Sequence, residues 1–181
     1  MKYMTYDLLA RTRSEDDQVA ENAAQEWELA CDEYNKHVEA IRSKLPIPLH
    51  RILDDFCLHD ASLVTLGKDE TSLFLVVQLK SPLNQGLRLC YRFEQLKVIS
   101  HSEHRKGNAE MFWLYDEIDV VETALPDGGR VSVFTHSILF NTGIELQIRF
   151  LGFDLKPYEN ILNSVKNNCR DGIGERERQF A

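Results

Sequence analysis

Histidine and aspartate are the residue types in this chain that could carry acid–base or metal chemistry. Two His–Asp pairs are candidates. His59 and Asp60 are adjacent in the stretch FCLHDASLVTL, whereas Asp116 and His136 stand in two later apolar runs. An aspartate that orients a histidine can hold a general base near neutral pH or fix the tautomer of a metal ligand. A small hydrolase or metal-dependent enzyme that uses these four residues is therefore one hypothesis for the function.

Three apolar runs late in the chain predict antiparallel strands at residues 111–121, 130–140 and 144–151. The NTG turn at 141–143 sets the register of the last two strands, because a three-residue loop keeps their apolar faces together. The resulting pairs are Phe140 with Ile144, Ile138 with Leu146, His136 with Ile148 and Phe134 with Phe150.

The same matching in the preceding hairpin pairs Phe112 with Phe140, Leu114 with Ile138 and Ile118 with Phe134. Asp116 then falls opposite His136, and both side chains point toward the core. A buried carboxylate and a buried imidazole are each costly without the other. A structural pair that fixes the strand register is therefore favoured over a catalytic or metal-binding role.

Other motifs for chemistry are missing from the sequence. It has no GxSxG nucleophile motif, no HExxH and no glycine-rich phosphate loop. His101 and His104 lie in a polar segment without a cysteine nearby. The four cysteines are far apart, which predicts reduced thiols, mostly in the core, rather than a zinc site or a disulfide framework. We expect no metal and no cofactor.

The outward positions of the last strands form the second candidate site, a protein-binding surface. Aromatic, acidic and basic groups together are typical of such surfaces. The residues are Trp113, Tyr115, Glu117 and Arg149. The alternative is that the N-terminal helix covers this face, with Trp27 and Tyr34 against Trp113.

A long helix is predicted before the strands. Ser14 is a suitable N-cap, apolar residues then recur at alternating spacings of four and three from Ala20 to Leu45, and Pro46 ends the pattern. This stripe would suit pairing with a second copy in a homodimer. Packing on the protein's own sheet is favoured, because small alanines alternate irregularly with large aromatic residues.

The complete pattern predicts an α+β fold in which the long N-terminal helix packs on a twisted, mainly antiparallel sheet that could curl toward a barrel. We expect a single domain with a helical part at 1–56, a β part at 57–155 and a short C-terminal helix and tail at 156–181. Further strands are predicted at 59–66, 72–80, 87–93 and 96–100, and the helix at 158–168.

Composition restricts the partners. A net charge of -8 disfavours nucleic acid and anionic membranes and favours a basic protein partner. The start of the chain lacks the apolar segment of a signal peptide, and no run is long enough to span a membrane, so a cytoplasmic location is expected.

Four segments together resemble a bacterial family catalogued as a domain of unknown function. They are MKYMTYD at 1–7, LHDASLVTL at 58–66, FWLYDEID at 112–119 and HSILFNTGIELQIRF at 136–150. The LHDA-type strand opening is also similar to immunity-type proteins of bacterial toxin systems. The resemblance implies a cytoplasmic bacterial protein that binds another protein, and it brings no catalytic residues. A non-enzymatic binding module, immunity-like or regulatory, is therefore our leading hypothesis.

Overall fold

The computed structural model describes residues 1–81, 85–101 and 110–159. In these residues the helical segments come first and the strands follow, which confirms the predicted α+β class. The helical segments are α1 (Tyr6–Arg11), α2 (Asp17–Ile41), a 3₁₀ turn (Arg42–Lys44) and α3 (Ile47–Asp55). The strands are β1 (Ser62–Lys68), β2 (Ser72–Gln78), β3 (Gln85–Ser100), β4 (Trp113–Ala124), β5 (Arg130–Phe140) and β6 (Ile144–Glu159).

Helix α2 is the predicted long helix, with 25 residues. It begins two residues later than expected, because the carboxylate of Asp16 accepts the N–H groups of Gln18 and Val19 and is the N-cap. The Ser14 hydroxyl instead accepts the N–H of Asp16, at 3.2 Å. At its other end the helix gives way to the 3₁₀ turn before Pro46, the N-cap residue of α3.

The six strands form one antiparallel sheet in the order β1-β2-β3-β6-β5-β4. It consists of two three-stranded meanders, β1–β3 and β4–β6, which are joined along their long strands β3 and β6. The expectation of two separate strands at 87–93 and 96–100 is wrong. Both belong to β3, whose pairing with β6 shifts around Phe93 but does not stop there.

Strand β6 is also longer than predicted and contains Pro157, which we expected to precede a helix. Its register with β5 ends at Phe150, so beyond this point β6 pairs only with β3 and Pro157 lies on an edge. Proline is tolerated there because no neighbour needs its missing N–H. Tyr158 and Glu159 are thus in a strand, and the rest of the predicted C-terminal helix and tail, residues 160–181, lies outside the described residues.

The two edges of the sheet meet at one end. An isolated bridge joins Ser62 to Phe112, and the main chains of Asp60 and Trp113 bond at 2.8 Å. The first strand therefore begins at Ser62 rather than His59, since residues 59–61 form the turn leading into this contact. The sheet curls as expected but is not a closed barrel.

The core lies on the inner, concave face of the sheet, where Leu49 and Ile52 of α3 join the strand side chains. Helix α2 runs along the free edge of β4. Its Tyr34 hydroxyl accepts the N–H of Ile118 at 2.8 Å, and Val38 and Ile41 are buried beside it. The second half of the apolar stripe, from Tyr34 to Leu45, thus packs within the chain and protects an otherwise open strand edge.

Candidate functional site

The strand registers decide where the predicted site residues lie. The β5–β6 register is as predicted, with His136 opposite Ile148. The predicted β4–β5 register is wrong, because Asp116 pairs with Ile138 and Ile118 pairs with His136. An irregularity around Leu114 absorbs an extra residue near the start of β4. From Asp116 onward the error moves each partner by two positions, which leaves those side chains on their predicted face. Trp113, before the irregularity, pairs with Phe140 and lies on the inner face instead of the predicted outer one.

Asp116 and His136 are nevertheless in contact, diagonally across the two strands. The Asp116 Oδ2 lies 3.0 Å from His136 Nε2, and its Oδ1 accepts the indole N–H of Trp113 at 2.9 Å. On the other side of the ring, His136 Nδ1 lies 2.9 Å from the Tyr91 hydroxyl. Trp113, Asp116, His136 and Tyr91 thus form a hydrogen-bonded chain across the inner face.

The tautomer of His136 follows from its two partners, because the Asp116 carboxylate can only accept a hydrogen bond whereas the Tyr91 hydroxyl can also donate one. Burial, and then the charge of Asp116, raise the pKa of Tyr91 well above its usual value, so the hydroxyl keeps its proton. That proton can be donated to His136 Nδ1, which leaves Nε2–H to donate to the Asp116 carboxylate. In this arrangement each polar atom of the imidazole has a partner.

This order of groups matches the acid, base and hydroxyl of a nucleophilic triad, but the hydroxyl is in the wrong place. Tyr91 and His136 have no exposed surface, and the Tyr91 ring packs against Phe150 and Phe153. A substrate would have to enter the core to reach the hydroxyl. The chain of hydrogen bonds therefore stabilises the packing of β3, β4 and β5 against one another.

His59 and Asp60 lie on the surface. Asp60 has a left-handed backbone with φ of 66°, and its carboxylate lies 2.5 Å from Lys80 Nζ and 3.4 Å from His59 Nδ1. The hydrogen bond from Lys80 lowers the pKa of Asp60. No hydrogen bond or ion pair between described residues joins these two residues to Asp116 or His136, so the predicted cluster of four is not assembled.

Within residues 1–81, 85–101 and 110–159, no group of three or more His, Cys, Asp or Glu side chains is placed to hold a metal ion. In the same residues, no helix is long and apolar enough to cross a membrane.

The proposed aromatic binding surface is wrong for two of its four residues. Trp113 has no exposed surface and belongs to the core, and Glu117 is only 6% exposed. Tyr115 is half-buried against Trp27, with ring centroids 4.6 Å apart. The helix therefore covers part of this face, but Trp27 meets Tyr115 rather than Trp113. Arg149 remains exposed and pairs with Glu94.

Residues 1–5, the N-terminal arm, bury Glu117 on the outer face of the sheet. Its carboxylate accepts three consecutive main-chain N–H groups, from Lys2 at 2.6 Å, Tyr3 at 2.8 Å and Met4 at 2.7 Å. Hydrogen bonds from N–H groups to a charged carboxylate are stronger than those between neutral groups, so these three bonds hold Glu117 and the arm firmly together. The arm is thereby fixed across β4 without being part of a strand.

A second buried carboxylate, Glu145 of β6, also contacts the arm. It accepts hydrogen bonds from the amino group of Met1, from His101 Nε2 at 2.8 Å and from the Gln147 amide at 2.8 Å. Burial alone would raise the pKa of Glu145, but these donors outweigh it and the pKa lies below its usual value. Glu145 is therefore held in its charged form.

The exposed side of α2 is strongly acidic. The helix contains seven acidic residues and one lysine. Asp17, Glu21, Glu28 and Asp32 recur at intervals of four and seven, which places them along one side, and we call them the acidic face. All four are exposed, and none forms an ion pair with another described residue.

Sequence reasoning missed Tyr91 and Glu145, and for Glu117, which it named as a surface residue, it missed the burial. Tyr91 was placed correctly in an alternating strand, and a buried tyrosine hydroxyl needs a partner, so its contact with a buried histidine could have been expected. Glu117 and Glu145 look like ordinary solvent-facing strand residues. The arm that buries them has no periodicity that would reveal where it lies.

Comparison of the chain with protein-family models, with curated proteins and with solved structures found no match.

Proposed function

We propose that this protein is a non-enzymatic, protein-binding module of the bacterial cytoplasm, immunity-like or regulatory, that binds a basic partner through the acidic face of α2. One observation carries the proposal: four exposed carboxylates, Asp17, Glu21, Glu28 and Asp32, lie along one helix side and no described cation pairs with them. Their line spans about 22 Å at the rise of an α-helix. The charges favour rapid and selective association with a surface of opposite sign.

An apolar group beside the acidic face supports the same function. Leu29 is 64% exposed, in a helix whose opposite side packs through Tyr34, Val38 and Ile41. An exposed leucine next to unpaired carboxylates can add apolar contact to a binding surface dominated by charge.

The enzyme hypothesis lacks comparable support. It depends on His59, Asp60, Asp116 and His136 acting together, but the first pair is at the surface and His136 is fully buried, with both ring nitrogens engaged. Nothing in the geometry favours a reaction at either place.

Affinity purification with a charge-reversed helix tests the proposal. Wild-type protein and the double variant Glu28→Lys/Asp32→Lys are expressed in the source cells, and co-purifying proteins are quantified by mass spectrometry. We expect a basic protein that the wild type captures and that falls at least tenfold with the variant. The variant should retain the wild-type Tm, because both positions are exposed.

The matched control is Glu70→Lys/Glu110→Lys, which changes the net charge equally at exposed positions outside α2. It should capture the partner as the wild type does. Equal losses in both variants would mean that only net charge matters, and an unchanged yield with the helix variant would refute the proposed surface.

A further inference from the structure

Buried polar side chains are concentrated under the N-terminal arm. Glu117, Ser137 and Glu145 lie on the outer face of β4, β5 and β6, and each is less than 8% exposed. Ser137 pairs in register with Glu117 on one side and with Gln147 on the other. We call this group of four, Glu117, Ser137, Glu145 and Gln147, the arm cleft.

The arm supplies this cleft chiefly with main-chain groups. Three successive N–H donors satisfy Glu117, and the contact of Met1 with Glu145 uses its amino group rather than its side chain. Main-chain N–H groups are present in any peptide that can adopt the bend of the arm at residues 3 and 4, and an amino group is present at any free N-terminus. The cleft thus recognises N–H groups and positive charge, not the particular side chains of residues 1–3.

The apolar packing of the arm is centred on Met4, which is 7% exposed and packs against Tyr34 and Val38 of α2. Met1 and Tyr3 are partly buried against the same cluster. Beside the arm, on the same face, a polar groove of about 230 Å³ continues along His37, Asp119 and Thr135. A longer segment laid in the arm cleft could extend into this groove.

From these contacts we infer that the arm cleft is a receptor for a basic peptide segment bent like the arm, and that the N-terminal arm occupies it as an internal substitute until a partner's segment displaces it. The inference rests on the proposed function for the basic character of the partner. Charge complementarity supports this occupant, since two buried carboxylates face whatever lies in the cleft and all their described contacts are donors. Partner binding is then coupled to release of the arm.

The test uses the full chain and the arm's own sequence as the probe. A fluorescently labelled peptide MKYMTYD, with a free amino terminus, is titrated against wild-type protein and against Met4→Asp, which weakens the docking of the arm. We expect Met4→Asp to bind the peptide at least tenfold tighter than the wild type, because a tethered arm competes at a millimolar effective concentration. If Met4→Asp does not fold, Met4→Ala gives the same comparison.

Two further variants, each made in the Met4→Asp background, locate the binding. Glu117→Gln should weaken peptide binding at least tenfold, whereas Glu122→Gln, farther along the same strand and outside the arm cleft and the groove, should leave it unchanged. A peptide with an acetylated amino terminus and glutamate in place of lysine should bind at least tenfold weaker.

A folded Met4→Asp protein that binds the peptide no better than the wild type would overturn the inference. So would equal effects of the two strand variants, or equal binding of the acetylated peptide. Because the probe is the arm peptide, these results are independent of the partner captured through the acidic face.

Discussion

At the scale of single residues, two histidine–carboxylate contacts, those of His136 and His37, differ in how much they contribute to stability. His136 is fully buried and bonded on both ring nitrogens, whereas His37 is partly exposed and bonds one carboxylate, Asp119, at 3.1 Å. Because only His136 is fully buried, we expect only its removal to cost much stability.

Replacement of His136 by alanine should therefore destabilise the protein strongly. The change leaves the Tyr91 hydroxyl and the Asp116 carboxylate without their shared partner and opens a cavity, so we expect a loss of about 3 kcal/mol in the free energy of unfolding. His37→Ala is the matched control and should cost about 0.5 kcal/mol or less. Urea denaturation measures the free energy of unfolding of both variants. Similar losses in the two would contradict the structural role assigned to His136.

Acid should weaken the protein through Glu145. The pKa of this group is lower in the folded protein than its ordinary value of 4.5, so the stabilisation is fully present above that pH and is lost as the pH falls through the folded pKa. We expect the difference in free energy of unfolding between wild type and Glu145→Gln to shrink below pH 4.5. A difference that stays constant from pH 7 to pH 3 would contradict this.

At the scale of elements, the sequence was most informative where local chemistry sets the structure. The short turn before Ile144 fixed the register of β5 and β6 correctly, because only one loop length keeps the apolar faces together. Between β4 and β5 the loop is longer and an extra residue enters near Leu114, so the same argument gave a register two residues off. An apolar pattern with a period of two does not distinguish registers that differ by two.

The start of helix α2, which the structure places after Asp16 rather than after Ser14, can be tested directly. Asp16→Ala removes the side chain that accepts the N–H groups of Gln18 and Val19, and should lower the free energy of unfolding by about 1 kcal/mol. Ser14→Ala removes a single hydrogen bond outside the helix and should have a much smaller effect. The same denaturation experiment compares them, and the larger loss in Ser14→Ala would restore the boundary expected from the sequence.

At the scale of the whole molecule, contacts between segments distant in sequence determine features of the fold that the pattern of apolar residues does not predict. The α+β class, the long helix and the curled antiparallel sheet follow from periodicity and turn signals. The joining of two meanders along β3 and β6, and the arm over Glu117, depend on pairings between segments far apart in the chain. The arm buries the predicted surface residue Glu117, whereas Trp113 is buried because the irregularity around Leu114 turns it to the inner face.

Both proposed binding features involve the same helix. The acidic face of α2 forms no ion pair with another described residue, and the arm that crosses the sheet packs against α2 through Tyr3 and Tyr34, whose ring centroids are 5.6 Å apart. These two observations are the basis on which we propose a partner with a basic surface.

The most direct test of the central claim is the Kd of the purified partner, measured by isothermal titration calorimetry at low and high salt. We predict that Glu28→Lys/Asp32→Lys raises the Kd at least tenfold, or about 1.4 kcal/mol, and that added salt weakens wild-type binding more than it weakens binding by the variant. Glu70→Lys/Glu110→Lys should leave the Kd unchanged. A helix variant that binds with the wild-type Kd and the same salt dependence would contradict the account.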